Sequence, residues 1–219
     1  MDNFYEQLAK LTPEQRKLFK LRLKERGIVI PEDNQIFPRE SGDELPLSFA
    51  QQRLWFIQQL EPESSTYNVP SALKLKGKLN IPVLEKSLSE IVRRHEILRT
   101  TFISNSQKEP VQKIAEPAKL CLPVVDLQGL QASEDILKEL VRDAYEYPFD
   151  LTKLLLRLSL IKLSEFEHIL LITTHHIISD RWSIGVFLRE LSTIYNAFCK
   201  NKQSPLNELP IQYGDFAIW

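Results

Sequence analysis

The chain has 219 residues, of which 43% are hydrophobic and 26% are charged, and its formal net charge is −1. This balance is typical of a soluble globular protein of about one to two domains, and it gives no electrostatic bias toward nucleic acid. The apolar runs are too short to span a membrane, no signal peptide begins the chain, and the two cysteines are isolated. We therefore expect a reduced, cytoplasmic protein without a membrane partner.

Residues 1–30 are predicted to form a helical linker or docking segment. Thr12 and Gln15 have the spacing of a helix-capping box, and Gly27 supplies a stop. The basic residues of this segment indicate either a solvated helix face or a face that docks to a partner protein: Arg16, Lys17, Lys20, Arg22, Lys24 and Arg26. Residues 31–46 contain three prolines and a glycine and are predicted to be a linker.

From residue 47 to residue 219 the pattern alternates between helix and strand. Helices are predicted to begin at four capping residues: Ser48, Asn80, Ser133 and Ser183. Residues 72–79 and 155–163 alternate with a period of two, whereas 168–176 is a continuous apolar strand. Shorter strands are predicted at 99–103, 111–114 and 122–127. The pattern favours an α/β or α+β fold with a sheet covered by helices.

Two histidines end the apolar strand, and an aspartate follows them. Adjacent strand residues point to opposite faces, so His175 and His176 are a poor pair of ligands for one metal ion, and we expect no metal site. One histidine is expected to pack inward while the other faces a cavity. Asp180 could hold the following loop or fix the tautomer of an imidazole. The alternative is a satisfied core histidine beside a helix-terminal acid.

No nucleophile accompanies the histidines in sequence, since the chain has no GxSxG elbow and neither cysteine is nearby. A histidine without a covalent partner suits the transfer of an activated acyl group to an amine or hydroxyl. In such a reaction His176 would take or position a proton and help to stabilise the tetrahedral intermediate.

The stretch "THHIISDRWS" resembles the HHxxxDGxS signature of the condensation domains of nonribosomal peptide synthetases. Three other stretches resemble motifs of that family in the expected order, at 48–62, 93–102 and 213–219. The stretches "STYNVPSALKLKG" and "YPFDLTKLLLRLSL" are also similar to the family. The resemblance extends from about Leu45 to Trp219.

The resemblance implies a fold like that of chloramphenicol acetyltransferase, with two lobes and a tunnel between them. Peptide-bond formation would join a donor thioester to an acceptor amine, both on phosphopantetheine arms of carrier proteins, in an assembly line that also contains adenylation domains. No cofactor bound by this chain is implied. His176 takes the catalytic role and His175 a supporting role, while Asp180 is expected to pair with Arg99. The residues of the first motifs resemble domains that join L-configured donors and acceptors more than they resemble epimerising or dual-function domains.

Two departures from the family pattern bear on activity. Arg181 stands where the signature has glycine, which would allow a positive φ or a close backbone approach that arginine resists. The similarity covers only the amino-terminal lobe, so we expect residues 47–219 to lack the second lobe and to be inactive alone. Two alternatives remain open: a non-catalytic remnant or docking module, and a free-standing HxxxD acyltransferase that uses a small-molecule thioester.

Overall fold

The computed structural model describes residues 35–39, 44–130 and 133–219, and short stretches at 12, 14–15, 18–19 and 21–22. Within those stretches Thr12 and Gln15 form the predicted capping box. The Gln15 amide donates to Thr12 Oγ1 at 3.2 Å, and the Thr12 amide donates to Gln15 Oε1 at 3.0 Å. The predicted stop at Gly27, most of the basic positions, and much of the 31–46 linker lie outside the described residues.

The described lobe contains seven strands and five helices within 44–130 and 133–219. The strands are β1 (Glu44–Pro46), β2 (Asn68–Lys76), β3 (Thr100–Ser104), β4 (Pro110–Ile114), β5 (Val124–Asp126), β6 (Leu156–Ser164) and β7 (Glu167–His175). The helices are α1 (Phe49–Leu60), α2 (Ile81–Arg94), α3 (Ser133–Glu146), α4 (Arg181–Phe198) and α5 (Tyr213–Ile218). A 3-10 turn at Glu96–Arg99 joins α2 to β3. No helix in this part of the chain is both long and apolar enough to cross a membrane.

A mixed four-stranded sheet in the order β2-β7-β6-β5 forms the centre of the lobe. Only the β5–β6 pair is parallel, while β7 pairs antiparallel with both of its neighbours. Helices α2 and α4 contribute to the core on one face of this sheet, and α3 packs on the other. Strands β1, β4 and β3 form a smaller antiparallel sheet. The expected α/β sandwich with a mixed, helix-covered sheet is confirmed.

Strand β7 is apolar at its centre because it is covered on both faces. Leu170 and Ile172 belong to the core beneath α2 and α4, whereas Leu171 belongs to the cluster beneath α3. Because successive side chains of a strand point to opposite faces, a strand covered on both faces favours apolar residues at consecutive positions. The prediction of a buried strand at 168–176 is confirmed, and it ends one residue earlier, at His175.

The capping residues of α1 and α2 are as predicted. The Ser48 side chain accepts from the Gln51 amide and completes a capping box, and Asn80 Oδ1 accepts from the Val83 amide at 3.2 Å. The predicted cap at Ser183 is wrong, because α4 begins at Arg181; α3 begins at Ser133 itself, and residues 131–132 before it lie outside the described ranges. Asp180 is the cap of α4 because its carboxylate reaches the amide three residues later.

Arg39 joins the segment before the lobe to the last helix. Its Nη1 lies 3.0 Å from Asp215 Oδ1, and its Nη2 lies 2.6 Å from Glu96 Oε2. Asp215 is buried, and the Arg39 backbone amide donates to the same carboxylate at 3.1 Å. Gly214 lies in this contact, since a Cβ added there would lie 2.6 Å from Leu45 Cδ1.

Two glycine-to-alanine substitutions are expected to have opposite effects on stability. At Gly185, within α4, an added Cβ meets nothing within 4 Å, so Gly185→Ala should stabilise the fold by about 0.5–1 kcal/mol through helix propensity. At Gly214 the methyl group must displace the buried Leu45 side chain, so Gly214→Ala should destabilise by about 1 kcal/mol or more. Urea unfolding of both variants measures the difference; equal gains would contradict the close packing at Gly214.

Candidate active site

His175, the last residue of β7, points into the lobe. It is 1% exposed, and its Nδ1 accepts a hydrogen bond from the Ile177 amide at 3.1 Å. The Phe149 ring meets it edge-on at 6.2 Å between centroids, and its Nε2 is buried without a hydrogen-bond partner. Burial, reinforced by the neighbouring His176, lowers the pKa of His175 to about 4. The side chain is therefore neutral near pH 7.

His176 leaves the strand and is exposed toward a cleft. Its backbone amide donates to the carbonyl of Tyr67 at 2.8 Å, and its Nδ1 lies 2.6 Å from the carbonyl oxygen of Ser179. Because a carbonyl oxygen only accepts, Nδ1 must carry the proton and donate it. The lone pair of Nε2 is then left for a group in the cleft. The opposite directions expected for the two histidines are confirmed.

Asp180 stabilises a helix end and does not contact an imidazole nitrogen. Its Oδ1 accepts from the Ser183 amide at 2.7 Å and from the Ser183 hydroxyl at 2.6 Å. The hydroxyl and amide of Ser183 lower the pKa of Asp180, which holds the carboxylate ionised. The tautomer of His176 is therefore fixed by the carbonyl of Ser179, a role that the sequence had suggested for Asp180.

The expected ion pair between Arg99 and Asp180 is wrong. Arg99 ends the 3-10 turn, and its Nη1 donates to the carbonyl of Ala115, while its Nη2 lies 3.7 Å from Glu96 Oε1. The Ala115 amide also donates to the carbonyl of Arg99 at 3.0 Å, since the pairing of β3 with β4 brings these residues together. Arg99 thus stabilises the small sheet, while Asp180 is engaged at the start of α4.

Arg181 causes no backbone strain in this loop. It is the first residue of α4 and is exposed. Within the described ranges, only Lys108 and Asn201 among non-glycine residues have a positive φ. The expectation that arginine would resist the conformation required after Asp180 is therefore wrong, because that position is right-handed helix.

The cleft beside His176 has a volume of about 640 Å³ and lies between α1, the 3-10 turn and the start of α4. Its lining is mostly apolar and includes Leu54, Ile97, Leu98, Ile178, Ile184 and Phe187. The ionisable residues of the lining are Arg53, Tyr67, His95, His176, Asp180 and Tyr213. An apolar wall of this kind excludes water and strengthens the interactions of the few polar groups that face a bound ligand.

Sequence reasoning missed several residues that build this site. The buried Gln51 side chain of α1 donates to the carbonyl of Ile177 at 3.4 Å and to Gln112 Oε1 at 3.2 Å, so it ties the histidine loop to β4. His95 Nε2 lies 2.9 Å from Glu190 Oε2 at another part of the cleft wall. Both Gln51 and His95 lie in motif-like stretches, which is the only sequence signal that could have found them.

The described residues contain no cluster of side chains that could bind a metal ion. No group of three or more histidine, cysteine, aspartate or glutamate side chains in those ranges is placed to hold an ion. Cys121 and Cys199 are both free and exposed.

Comparison with known proteins identifies the family. The family model described as "Condensation domain" matches residues 41–219. The chain belongs to the condensation-domain family. It is 42% identical over 217 residues to a linear gramicidin synthase of Brevibacillus parabrevis, covering 98% of this chain and 3% of that protein. It is 48% identical over 185 residues to malpinin synthetase of Mortierella alpina, covering 84% of this chain and 2% of that protein.

Solved structures share the architecture of this condensation-domain chain. The X-domain in its complex with OxyB from teicoplanin biosynthesis aligns with a TM-score of 0.76 at 32% identity, covering 87% of this chain and 41% of that one. The first condensation domain of the calcium-dependent antibiotic synthetase, in complex with a substrate analogue, aligns with a TM-score of 0.70 at 26% identity, covering 76% and 40%. The chain thus spans about two fifths of these solved chains and a few per cent of the two synthetases named above. The family resemblance inferred from the motifs is confirmed.

The neutral, buried His175 should make stability depend on pH in a defined window. Its folded pKa of about 4 lies below the unfolded value of about 6.5, so the unfolded state binds more protons between these values. Stability should be fully present above pH 6.5 and should fall by roughly 3 kcal/mol as the pH drops toward 4. Urea unfolding at stepped pH, compared with His175→Asn, which retains an acceptor and cannot titrate, isolates this contribution. Parallel profiles for the two proteins would refute it.

Replacement of Asp180 should have the effect of losing a helix cap. We expect Asp180→Ala to cost about 1 kcal/mol of unfolding free energy, and Asp180→Asn to cost little because an acceptor is kept. Asn80→Ala, at the matching position of α2, is the control and should cost a similar amount. Asp180→Ala and Arg99→Met should be additive, since the two side chains bind different partners. If Asp180→Ala instead cost several kcal/mol of unfolding free energy, and that cost were not additive with the cost of Arg99→Met, the result would support an Arg99–Asp180 ion pair.

Proposed function

We propose that this chain contributes the histidine-bearing lobe of a site that forms peptide bonds between two carrier-bound substrates. The single observation that supports this proposal is the fixed His176 imidazole. Its Nδ1 is held by the carbonyl of Ser179, so Nε2 is the nitrogen available to a substrate in the cleft. Membership of the condensation-domain family gives this arrangement its chemical context.

In the proposed reaction the amine nitrogen of the acceptor attacks the thioester carbon of the donor. Nε2 of His176 accepts a proton from the attacking amine, the tetrahedral intermediate collapses, and the carbon–sulfur bond breaks. The leaving thiolate takes up the proton, so the products are an amide and a free thiol. An α-amine titrates at about 7.7–8.0 and histidine near about 6.5, so this proton transfer is nearly balanced and needs no strong base.

We propose that both substrates arrive on phosphopantetheine arms of carrier proteins, and that the chain itself holds no cofactor. The apolar cleft beside His176 suits the acyl portion of such a substrate. Adenylation domains, which load the carriers, and a second lobe that completes the tunnel are the further partners of this proposal. The relatives support this proposal, because the chain covers only a few per cent of the synthase and of the synthetase, which leaves room in both for such additional domains.

The alternatives left open by the sequence fit the site less well. A free-standing acyltransferase would act on a small thioester, whereas the related proteins are synthetases many times longer than this chain. A non-catalytic docking module would not need the tautomer of an exposed histidine to be fixed by its own loop. Neither alternative is supported by a feature of the site.

The decisive test replaces the matching segment of the related domain in the linear gramicidin synthase with residues 41–219 of this chain. With donor-loaded and acceptor-loaded carriers, the chimera should form a dipeptidyl thioester, followed by mass spectrometry. His176→Ala should reduce turnover by about 100-fold or more, the contribution typical of general acid–base catalysis. His168→Asn, at the opposite end of β7, is the matched control and should retain turnover.

The isolated 219-residue chain should show no turnover in the same assay. The lobe spans about two fifths of the two solved chains named above, and correct alignment of two reactants supplies about 7–11 kcal/mol of a barrier. An imidazole alone does not provide that alignment. Turnover by the isolated chain that disappears in His176→Ala would show that one lobe is sufficient. A folded chimera that is inactive with His176 intact would contradict the proposed function.

A further inference from the structure

Two buried hydroxyl groups lie on either side of the histidine pair. Thr174 precedes His175 on β7, and Ser179 precedes the cap residue of α4. Their relative exposures are 2% and 8%, and Thr174 Oγ1 and Ser179 Oγ are hydrogen-bonded to each other. Both residues belong to the wall of the cleft that His176 faces. The loop that carries His176 is therefore closed by a side-chain contact as well as by its backbone.

A third group connects this pair to the central sheet. Thr174 Oγ1 also lies 3.5 Å from the backbone carbonyl of Val69, on the neighbouring strand β2. That distance is the upper limit of a hydrogen bond, and either hydroxyl of the Thr174–Ser179 pair can donate to the other. The Ser179 side chain is thus anchored, through one intermediate, to the backbone of the central sheet.

Ser179 is also the residue whose backbone orients His176. Its carbonyl oxygen receives the Nδ1 proton at 2.6 Å. A serine side chain that loses its partner turns to nearby backbone groups, and that competition changes the local backbone. Fixing the side chain of Ser179 therefore fixes the direction of its carbonyl, and with it the tautomer and the plane of the imidazole.

The backbone of the loop has its own hydrogen bonds, which fix the residues before Ser179. The Ile178 amide donates to the carbonyl of His175 at 3.1 Å, and the Ile177 amide donates to Nδ1 of His175. These hydrogen bonds involve only residues before Ser179, so they do not fix the direction of the Ser179 carbonyl. The hydroxyl pair is therefore the side-chain contact that acts at residue 179.

We propose that Thr174 and Ser179 are positioning residues, which hold His176 as the Nδ1–H tautomer with Nε2 directed to the substrate. The structural part of this inference concerns the chain alone. Its catalytic consequence rests on the function proposed above. The two parts have separate measurements, so failure of one is distinguishable from failure of the other.

The structural part is tested by nitrogen NMR of the 219-residue chain with ¹⁵N-labelled histidine. The chain has four histidines, so the His176 signals are assigned by their loss in His176→Gln. The wild-type protein should show a single Nδ1–H tautomer at neutral pH. Ser179→Ala and Thr174→Val should each shift His176 toward a mixture with the Nε2–H form. Thr174→Ser keeps a hydroxyl and should restore the wild-type spectrum.

Thr173→Val is the matched control. Thr173 is as buried as Thr174 and adjacent to it, but it lies on the other face of β7, in a cavity lined by α3 residues. The control should leave the His176 signals unchanged, while thermal unfolding reports any general loss of stability in each variant. An unchanged tautomer in folded Ser179→Ala and Thr174→Val, or an equal shift in Thr173→Val, would overturn the proposal.

The catalytic part is measured in the active chimera. Ser179→Ala and Thr174→Val should each lower kcat by about tenfold, with KM within about twofold, because misplacing a catalytic group affects the transition state more than binding. The double variant should be no worse than either single one, since the hydroxyls act as a unit. A rise in KM at constant kcat would show that the hydroxyls bind substrate directly and would overturn the positioning role. A shifted tautomer with unchanged kcat would contradict the base role of His176 and leave the structural inference intact.

Discussion

The lobe depends on one strand, β7, that is covered on both faces. Its side chains alternate between the core beneath α2 and α4 and the cluster beneath α3. Where the strand ends, the same alternation separates the histidines. His175 remains inside as a neutral group, and His176 turns out to the cleft. The position of His176 is thus a consequence of sheet geometry.

Much of this arrangement was predictable because it depends on local periodicity. The strand at 168–176, the caps Ser48 and Asn80, and the opposite directions of the two histidines all follow from patterns within about ten residues. The family resemblance added the overall architecture, which no local pattern contains. The error at Ser183 was a shift to Asp180, at a helix end where either of two side chains could serve as the cap.

The contacts that sequence reasoning got wrong or missed depend on which of several possible partners a side chain meets in the folded lobe. Arg99 was expected to meet Asp180, yet each has a nearer partner: Ala115 through strand pairing and Ser183 through the helix start. A charged side chain is directed by whichever acceptor costs the least ordering, and that acceptor is visible only in the folded structure. The same holds for Gln51, whose amide connects α1 to β4 and to the histidine loop, contacts that its helical pattern does not indicate.

The ion pair between Arg39 and Asp215 has a consequence for how the lobe is assembled over time. The two residues are 176 positions apart, so closing this contact encloses nearly the whole described lobe in one loop. Loop-closure entropy disfavours a contact of such long sequence separation until the elements between its ends have packed, so we expect it to form late in folding. Interactions made after the folding transition state slow unfolding more than they accelerate folding. On that basis we expect the Arg39 guanidinium to prolong the lifetime of the folded lobe more than it changes the rate at which the lobe folds.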